Sequence, residues 1–104
     1  MCHCSFLIGS LSDTEEYYMV SAHNTLRRRT NKQELKWSPY LSRWANYIIR
    51  CDEEYPGPRS AYTNFGKLFT SDRDKDQIMA DDIENVGCAA LDCLNFKQLT
   101  CIYK

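Results

Sequence analysis

Two stretches of alternating apolar and polar residues near the C-terminal end predict a pair of short β-strands. Every second residue from Val86 to Ala90 falls on one strand face, and so does every second residue from Leu99 to Tyr103. Each of these faces includes a cysteine, and residues 91–98 are long enough to let the two strands pair as neighbours. We therefore expect a small sheet whose inward cysteines are tied to each other or to a helix behind them.

The first helix is predicted to begin next to Ser12. Ser12 is followed three residues later by Glu15, and Asp13 by Glu16, and either pair makes a capping box. Apolar residues then recur at the spacing of a helix face. The pattern predicts a helix that runs to about Arg28.

A second helix is predicted after Ser38, a good N-cap that is followed by a proline suited to the first turn. An apolar stripe at helical spacing comes next and ends in a cysteine, at Leu41, Trp44, Ile48 and Cys51. Prolines and glycine in residues 55–58 should stop the helix. Cys51 is thus expected to point inward, toward the sheet.

The segment between the helices and the terminal strands carries weaker signals. Residues 61–69 are irregular or weakly strand-like, and residues 71–76 are predicted to form a polar loop. Residues 77–83 are a candidate strand that two adjacent aspartates weaken. We expect an N-terminal tail at residues 1–11 and one domain at residues 12–104.

Composition narrows the classes of function. A chain of 104 residues with a net charge of −1 lacks the basic excess of a nucleic-acid binder. Six cysteines indicate a disulfide framework in an oxidising compartment, or metal binding in a reducing one. Residues 6–8 are the only apolar run near the start, too short for a convincing signal peptide, and no stretch is long enough to be a transmembrane segment.

Two short patterns imitate metal sites and are incomplete. Residues 2–4 (CHC) resemble half a zinc site, but no second pair of ligands completes it. Residues 72–76 (DRDKD) imitate the opening of a calcium loop, yet Gln77 replaces the turn glycine and Ile83 the bidentate glutamate. We therefore predict no metal and no cofactor.

Catalytic chemistry has few candidate groups. The two histidines are His3 and His23, and His23 with Glu16 is the one candidate pair. Neither a nucleophile in a recognisable setting nor an oxyanion motif accompanies this pair. A hydrolase is therefore the disfavoured alternative to a non-enzymatic protein.

Three ordered motifs resemble the CAP superfamily, which comprises cysteine-rich secretory, antigen 5 and pathogenesis-related 1 proteins and is also called SCP/TAPS. Residues 21–27 (SAHNTLR) are similar to its HNxxR signature, and residues 36–45 (KWSPYLSRWA) to the motif that opens its second helix. Residues 86–103 resemble its closing VGCA…C…VCxY pattern. The general pattern resembles the venom-allergen-like members of parasitic worms.

This resemblance implies an α+β fold, an abbreviated CAP-type αβα sandwich with two N-terminal helices on a small, mainly antiparallel sheet. It also implies the disulfides Cys51–Cys93 and Cys88–Cys101, while Cys2 and Cys4 are left free or paired elsewhere. Structural roles follow for four motif residues, namely His23, Asn24, Arg27 and Trp37.

The family's cavity of two histidines and two glutamates has no counterpart here. Arg59, Lys67 and Asp74 stand where three of its members would be, and the helix that carries the fourth is missing. The resemblance therefore implies an internal deletion near Ser71 and a chain without the cavity tetrad.

The function implied by the resemblance is that of a secreted, extracellular interaction protein that binds a protein partner or a lipid such as a sterol. A truncated or degenerate product with little independent function is the alternative. Aromatic residues are candidates to line an apolar site, or else to serve as core and amphipathic surface, and they are Tyr17, Tyr18, Trp37, Tyr40, Trp44, Tyr47, Tyr55 and Tyr62.

Overall fold

The computed structural model describes residues 11–51, 60–64, 72–94 and 96–104. The helices and strands, in chain order within each class, are α1 (Asp13–Arg28), α2 (Pro39–Ile48), α3 (Asp72–Ile78), β1 (Lys36–Trp37), β2 (Ser60–Asn64), β3 (Asn85–Asp92) and β4 (Lys97–Tyr103). The four strands form one sheet in the order β1-β3-β4-β2. β1 runs parallel to β3, whereas β3–β4 and β4–β2 are antiparallel, so the mainly antiparallel sheet predicted from the sequence is confirmed.

The β3–β4 hairpin is the centre of the sheet, as the alternation of residues predicted. Its register places Val86 opposite Tyr103 and Cys88 opposite Cys101. Because successive side chains alternate across a strand, the hairpin presents two different apolar faces. Both faces are buried, which explains the nearly continuous run of buried residues along each strand.

The two faces of the sheet carry two separate hydrophobic clusters. The cluster on the side of α1 and α3 consists of Leu11, Met19, Leu35, Ile78, Ile83, Val86, Cys88, Ala90, Leu99, Cys101 and Tyr103. The smaller cluster on the side of α2 consists of Leu41, Ala45, Ile49, Ala89 and Ile102. The predicted α+β sandwich of helix, sheet and helix is therefore confirmed.

α1 begins where the capping signal predicted. The Ser12 hydroxyl accepts a bond from the Glu15 amide, and the Glu15 carboxylate accepts one from the Ser12 amide. This backbone hydrogen bond lowers the pKa of Glu15, partial burial opposes the shift, and Lys97 at 3.2 Å adds to it. The helix ends at Arg28, and Asn31 takes a left-handed φ of 59° in the turn that follows.

α2 begins at the predicted N-cap, Ser38, but the predicted buried stripe is partly wrong. Leu41 is buried, whereas Trp44 is 42% exposed and Ala45 is fully buried in its place. The helix also ends at Ile48, so Cys51 lies beyond its end rather than on its face. The reason is close packing, because the small Ala45 lets the helix backbone approach the sheet where an indole would hold it away.

The region before the hairpin also differs from the sequence prediction. Asp72–Ile78 forms α3, where a polar loop and a candidate strand were expected. The bond from the Met79 amide to the Lys75 carbonyl, at 2.9 Å, belongs to a helical turn, and Ile78 is buried in the core. Burial of one apolar residue at the helix end outweighs the weak alternation of residues 77–83.

Two further sequence predictions concern residues at the edges of the sheet. Lys36–Trp37, which begins the motif that resembles the opening of the second helix, forms the strand β1. Ser60–Asn64 forms β2, in agreement with the strand-like reading of its first part, and residues 65–69 lie outside the described residues. Leu11, assigned to the N-terminal tail, is buried in the core beside α1. Among the described residues, no helix has the length and apolar character needed to cross a bilayer.

Candidate functional site

The inner face of α1 is polar at its centre. His23, Asn24 and Arg27 are 0%, 6% and 1% exposed, respectively. Buried polar groups are costly unless they are hydrogen-bonded, so their partners determine what they do.

His23 joins α1 to the last strand. Its Nδ1 lies 2.7 Å from the Met19 carbonyl oxygen and its Nε2 lies 2.9 Å from the Tyr103 hydroxyl. A carbonyl oxygen only accepts, so Nδ1 donates and Nε2 of the neutral ring accepts from Tyr103. Burial lowers the pKa of His23 to about 4, with the positive charge of Arg27 acting in the same direction and the Met19 bond opposing it.

Asn24 joins α1 to the chain that enters β1. Its amide nitrogen donates to the Leu35 carbonyl at 3.0 Å, and its amide oxygen accepts from the Leu35 N–H at 2.7 Å. The side chain thus satisfies both backbone groups of one buried residue, as a neighbouring strand would do.

Arg27 joins α1 to the end of α3. Its Nε donates to the Gln33 carbonyl at 2.6 Å, and its Nη1 donates to the carbonyls of Ile78 and Ala80 at 2.7 and 2.9 Å. Burial lowers the pKa of Arg27, and the nearby Asp81 carboxylate opposes that shift. The guanidinium therefore holds two backbone segments against α1, at Gln33 and at the end of α3.

These contacts leave few side chains on α1 available for acid–base catalysis. Both ring nitrogens of His23 are engaged by Met19 and Tyr103, while Glu16 lines a surface groove with Tyr17 and Trp37. Burial and the neighbouring Asp13 raise the pKa of Glu16. In the part of the chain that the structure describes, no group of three or more histidine, cysteine or acidic residues is arranged to hold a metal ion.

Two disulfides tie the helices and strands together. Cys51, just after α2, is bonded to Cys93 at the end of the hairpin, with their Cα atoms 5.8 Å apart. Cys88 is bonded to Cys101 directly across the hairpin. These are the pairs that the resemblance implied, and Cys2 and Cys4 lie outside the described residues.

The remaining sequence candidates are scattered. Trp37 is half-buried at the end of β1, packed against the core beside α1. Of the three positions assigned to the lost tetrad, Asp74 lies in α3, whereas Arg59 and Lys67 lie outside the described residues. No combined site of these residues emerges from the part that is described.

The outer surface of α2 carries a group of exposed aromatic rings. Tyr40, Trp44 and Tyr47 are 62%, 42% and 74% exposed. With Arg43 they line an open groove of about 500 Å³. We call these four residues the aromatic face. The Trp44 and Tyr47 rings contact each other at a tilt, with centroids 6.4 Å apart.

A second exposed apolar feature, at the tip of the β3–β4 hairpin, was missed from the sequence. Leu94 is 96% exposed and Phe96 is 38% exposed. The signal was present as two large apolar residues inside a short turn, where polar residues are usual. Because Cys93 is bonded to Cys51, this tip is tied to the chain that leaves α2.

Comparison with known proteins identifies the fold. No protein-family model and no curated protein sequence matches the chain. Solved structures do match it, including MpPR-1i, with a TM-score of 0.71, 18% identity, and coverage of 90% of this chain and 89% of that one. Hookworm platelet inhibitor matches with a TM-score of 0.73, 17% identity, and coverage of 91% and 71%.

A third structure, an outer surface protein from Borrelia burgdorferi, has a TM-score of 0.63 and 15% identity over 93% of this chain and 98% of that one. Identities this low establish architecture rather than activity. MpPR-1i, which is a pathogenesis-related 1 protein, and the hookworm inhibitor are both CAP proteins. The chain therefore has an abbreviated form of the CAP superfamily fold.

Proposed function

We propose that this chain is a secreted, non-enzymatic CAP-domain protein that acts by binding a protein partner or a lipid such as a sterol. The observation that carries the proposal is the contrast between its polar and aromatic residues. The buried polar residues of α1 make structural hydrogen bonds, while the aromatic face of α2 is exposed. Exposed aromatic patches of this kind are typical of binding surfaces.

The two disulfides support an extracellular location. Structural disulfides persist in oxidising compartments and are rare in the cytosol. A small domain gains stability from them, because its core alone is modest. Cys51–Cys93 and Cys88–Cys101 therefore suit a protein that folds in the secretory route.

A degenerate product with little function remains the alternative, and a thiol measurement separates it from a working domain. We expect the four disulfide cysteines to be unreactive toward a thiol reagent until the protein is reduced, and thermal unfolding to be cooperative. Free reactive thiols at Cys51 and Cys93 together with a non-cooperative melt would favour the degenerate product instead.

Lipid binding is tested by native mass spectrometry of the folded, disulfide-bonded chain with cholesterol and with palmitate in separate samples. We expect a stoichiometric adduct with at least one lipid, or otherwise saturable binding of a purified extracellular protein. Turnover of ester or peptide substrates by the same preparation would contradict the non-enzymatic assignment. Burial keeps His23 neutral and both of its ring nitrogens are bonded, to Met19 and to Tyr103, which argues against a catalytic role for this histidine.

A further inference from the structure

The outer side of α2 carries aromatic rings in addition to the apolar residues that pack against the sheet. The aromatic face falls within an arc of about 100° and extends along about 10 Å of helix axis. The side that faces the sheet is formed by Leu41 and Ala45, both buried. The helix is therefore already anchored, and its three exposed rings are additional apolar surface.

The kinds of side chain on this face match a bilayer interface. Tryptophan and tyrosine combine an apolar ring with a polar tip, and they concentrate where headgroups meet acyl chains. Arg43 lies among the rings and lines the same groove. An arginine can lay its aliphatic stem along apolar surface while its charge reaches the headgroups.

The charge on α2 itself is positive. Arg43 is the one charged residue of the helix, and the acidic residues nearest in sequence, Glu34 and residues 52–54 (DEE), lie outside it. A cation among aromatic rings favours a surface of anionic headgroups.

The hairpin tip adds a protruding apolar group at the same end of α2. Leu94 is almost fully exposed, and the Cys51–Cys93 disulfide keeps its turn attached to the chain that follows α2. Acidic residues mark the limits of the surface. Glu16 shares a groove with Arg43 on the side of α1, and Asp92 ends β3 before the tip.

We propose that the aromatic face, together with Leu94 and Phe96, docks on the headgroup region of an anionic lipid bilayer. The rings lie at the level of the interface, and Arg43 lies against anionic headgroups. A bilayer surface supplies both the interfacial layer that tyrosine and tryptophan rings favour and negative charge for the arginine, without a shaped partner. The inference rests on the proposed binding function and specifies a bilayer surface as the lipid target.

The first experiment measures sedimentation of the full chain with vesicles of phosphatidylcholine alone or mixed 7:3 with phosphatidylserine. We expect at least about tenfold tighter binding to the anionic vesicles, weakened in 0.5 M salt, because each surface cation adds electrostatic attraction. In Trp37→Phe protein, the remaining emission from Trp44 should shift to shorter wavelength when anionic vesicles are added. Absence of binding, or equal binding to both vesicles, would overturn the proposal.

Matched variants locate the surface. Trp44→Ala/Tyr47→Ala and Arg43→Glu should each lower the affinity about tenfold or more, and Leu94→Ser should lower it less. Tyr17→Ala/Tyr18→Ala removes two comparably exposed rings from α1 and should leave binding unchanged. All of these side chains are exposed, so thermal melts should match the parent protein and show that each variant is folded. An equal loss in the α1 control would overturn the assignment to α2.

The outcomes also separate this inference from the proposed function. A cholesterol or palmitate adduct, or a protein partner, found without vesicle binding leaves the binding function standing and rejects the bilayer surface. If a purified protein partner needs Trp44 and Tyr47 while vesicles do not bind, the face belongs to that protein and the proposal is wrong. If no ligand of any of these classes binds, both the bilayer inference and the proposed binding function are rejected.

Discussion

The two helices on opposite faces of the sheet are attached by different physical means. α1 is held mainly by directional hydrogen bonds, in which His23 accepts from Tyr103 while Asn24 and Arg27 donate to backbone carbonyls. α2 is held mainly by apolar contact at short range, since a Cβ added to Gly87 would lie 2.6 Å from the Leu41 Cβ and would overlap with the Ser42 backbone.

This difference determines what each interface tolerates. Hydrogen bonds to buried carbonyls require particular donors, and their loss leaves acceptors without partners. Close packing requires a particular volume, and an added methyl group has nowhere to go. We therefore expect the α1 interface to be sensitive to chemistry and the α2 interface to size.

Adding side-chain volume on the α2 side should have the largest effect on folding. Gly87→Val should abolish cooperative folding, because the new side chain would overlap with helix backbone that cannot rotate away. Circular dichroism with thermal unfolding measures this. Ser42→Ala is the control, since it removes the bond from the Ser42 hydroxyl to the Cys88 carbonyl without adding atoms and should cost only about 1 kcal/mol. A Gly87→Val protein that melts like its parent would show that α2 is not closely packed.

Removing the tie between α2 and the hairpin should have the next largest effect. Cys51→Ser/Cys93→Ser opens a loop of 42 residues and should lower the free energy of unfolding by about 4 kcal/mol in the chain-entropy model. Cys88→Ala/Cys101→Ala opens a loop of 13 residues and should cost about 3 kcal/mol through the same term. Urea denaturation compares the two, and a negligible loss in the first variant would mean that packing alone holds α2.

A change of chemistry on the α1 side should follow. Arg27→Met keeps most of the volume but leaves the carbonyls of Gln33, Ile78 and Ala80 without this donor, and we expect a loss of about 3 kcal/mol. Arg28→Met is the matched control, because Arg28 is exposed and its ion pair with Glu34 at 2.6 Å is worth less than about 1 kcal/mol. Equal losses in both variants would refute the structural role of the Arg27 contacts.

The smallest predicted effect is a dependence on pH through His23. Its pKa is about 4 in the folded chain against 6.5 for an ordinary histidine, so the unfolded chain binds more protons between these values. The contribution is therefore present above pH 6.5 and is lost as the pH falls toward 4. Between pH 7 and pH 5 the free energy of unfolding should fall by about 2 kcal/mol.

Denaturant unfolding of His23→Gln across that range should show a flatter dependence on pH. His3→Gln removes the other histidine and should keep the slope of the parent protein. Staying above pH 5 limits interference from Glu15, whose lowered pKa makes its own contribution disappear at more acidic pH. An unchanged slope in the His23 variant would show that another group titrates.

The sequence allowed the hairpin and α1 to be predicted because each has a strong local signal, although two capping pairs were open for the start of α1. Alternation around Cys88 and Cys101 has a period of two, and the Ser12–Glu15 capping box marks a helix start. Both are local patterns that tertiary packing reinforces rather than overrides.

The aromatic face and α3 were harder to predict. α2 has apolar residues on two sides, so its period alone cannot tell whether Trp44 or Ala45 faces the sheet. That choice depends on Gly87, which lies far along the chain. α3 owes its place to Ile78 and to the Arg27 guanidinium, another contact distant in sequence. The role of Arg27 was implied by resemblance, but its three carbonyl partners became visible only in the folded chain.

The Cys88–Cys101 bond has a consequence for how the chain matures. Residues in a hairpin change sides when the pairing slips by one position, so a slipped hairpin would send the two thiols to opposite sides of the sheet. Cys88 and Cys101 lie directly opposite each other in the native register. Oxidation of this pair therefore favours the native alignment, because a hairpin slipped by one position keeps the two thiols on opposite sides of the sheet and cannot form the bond.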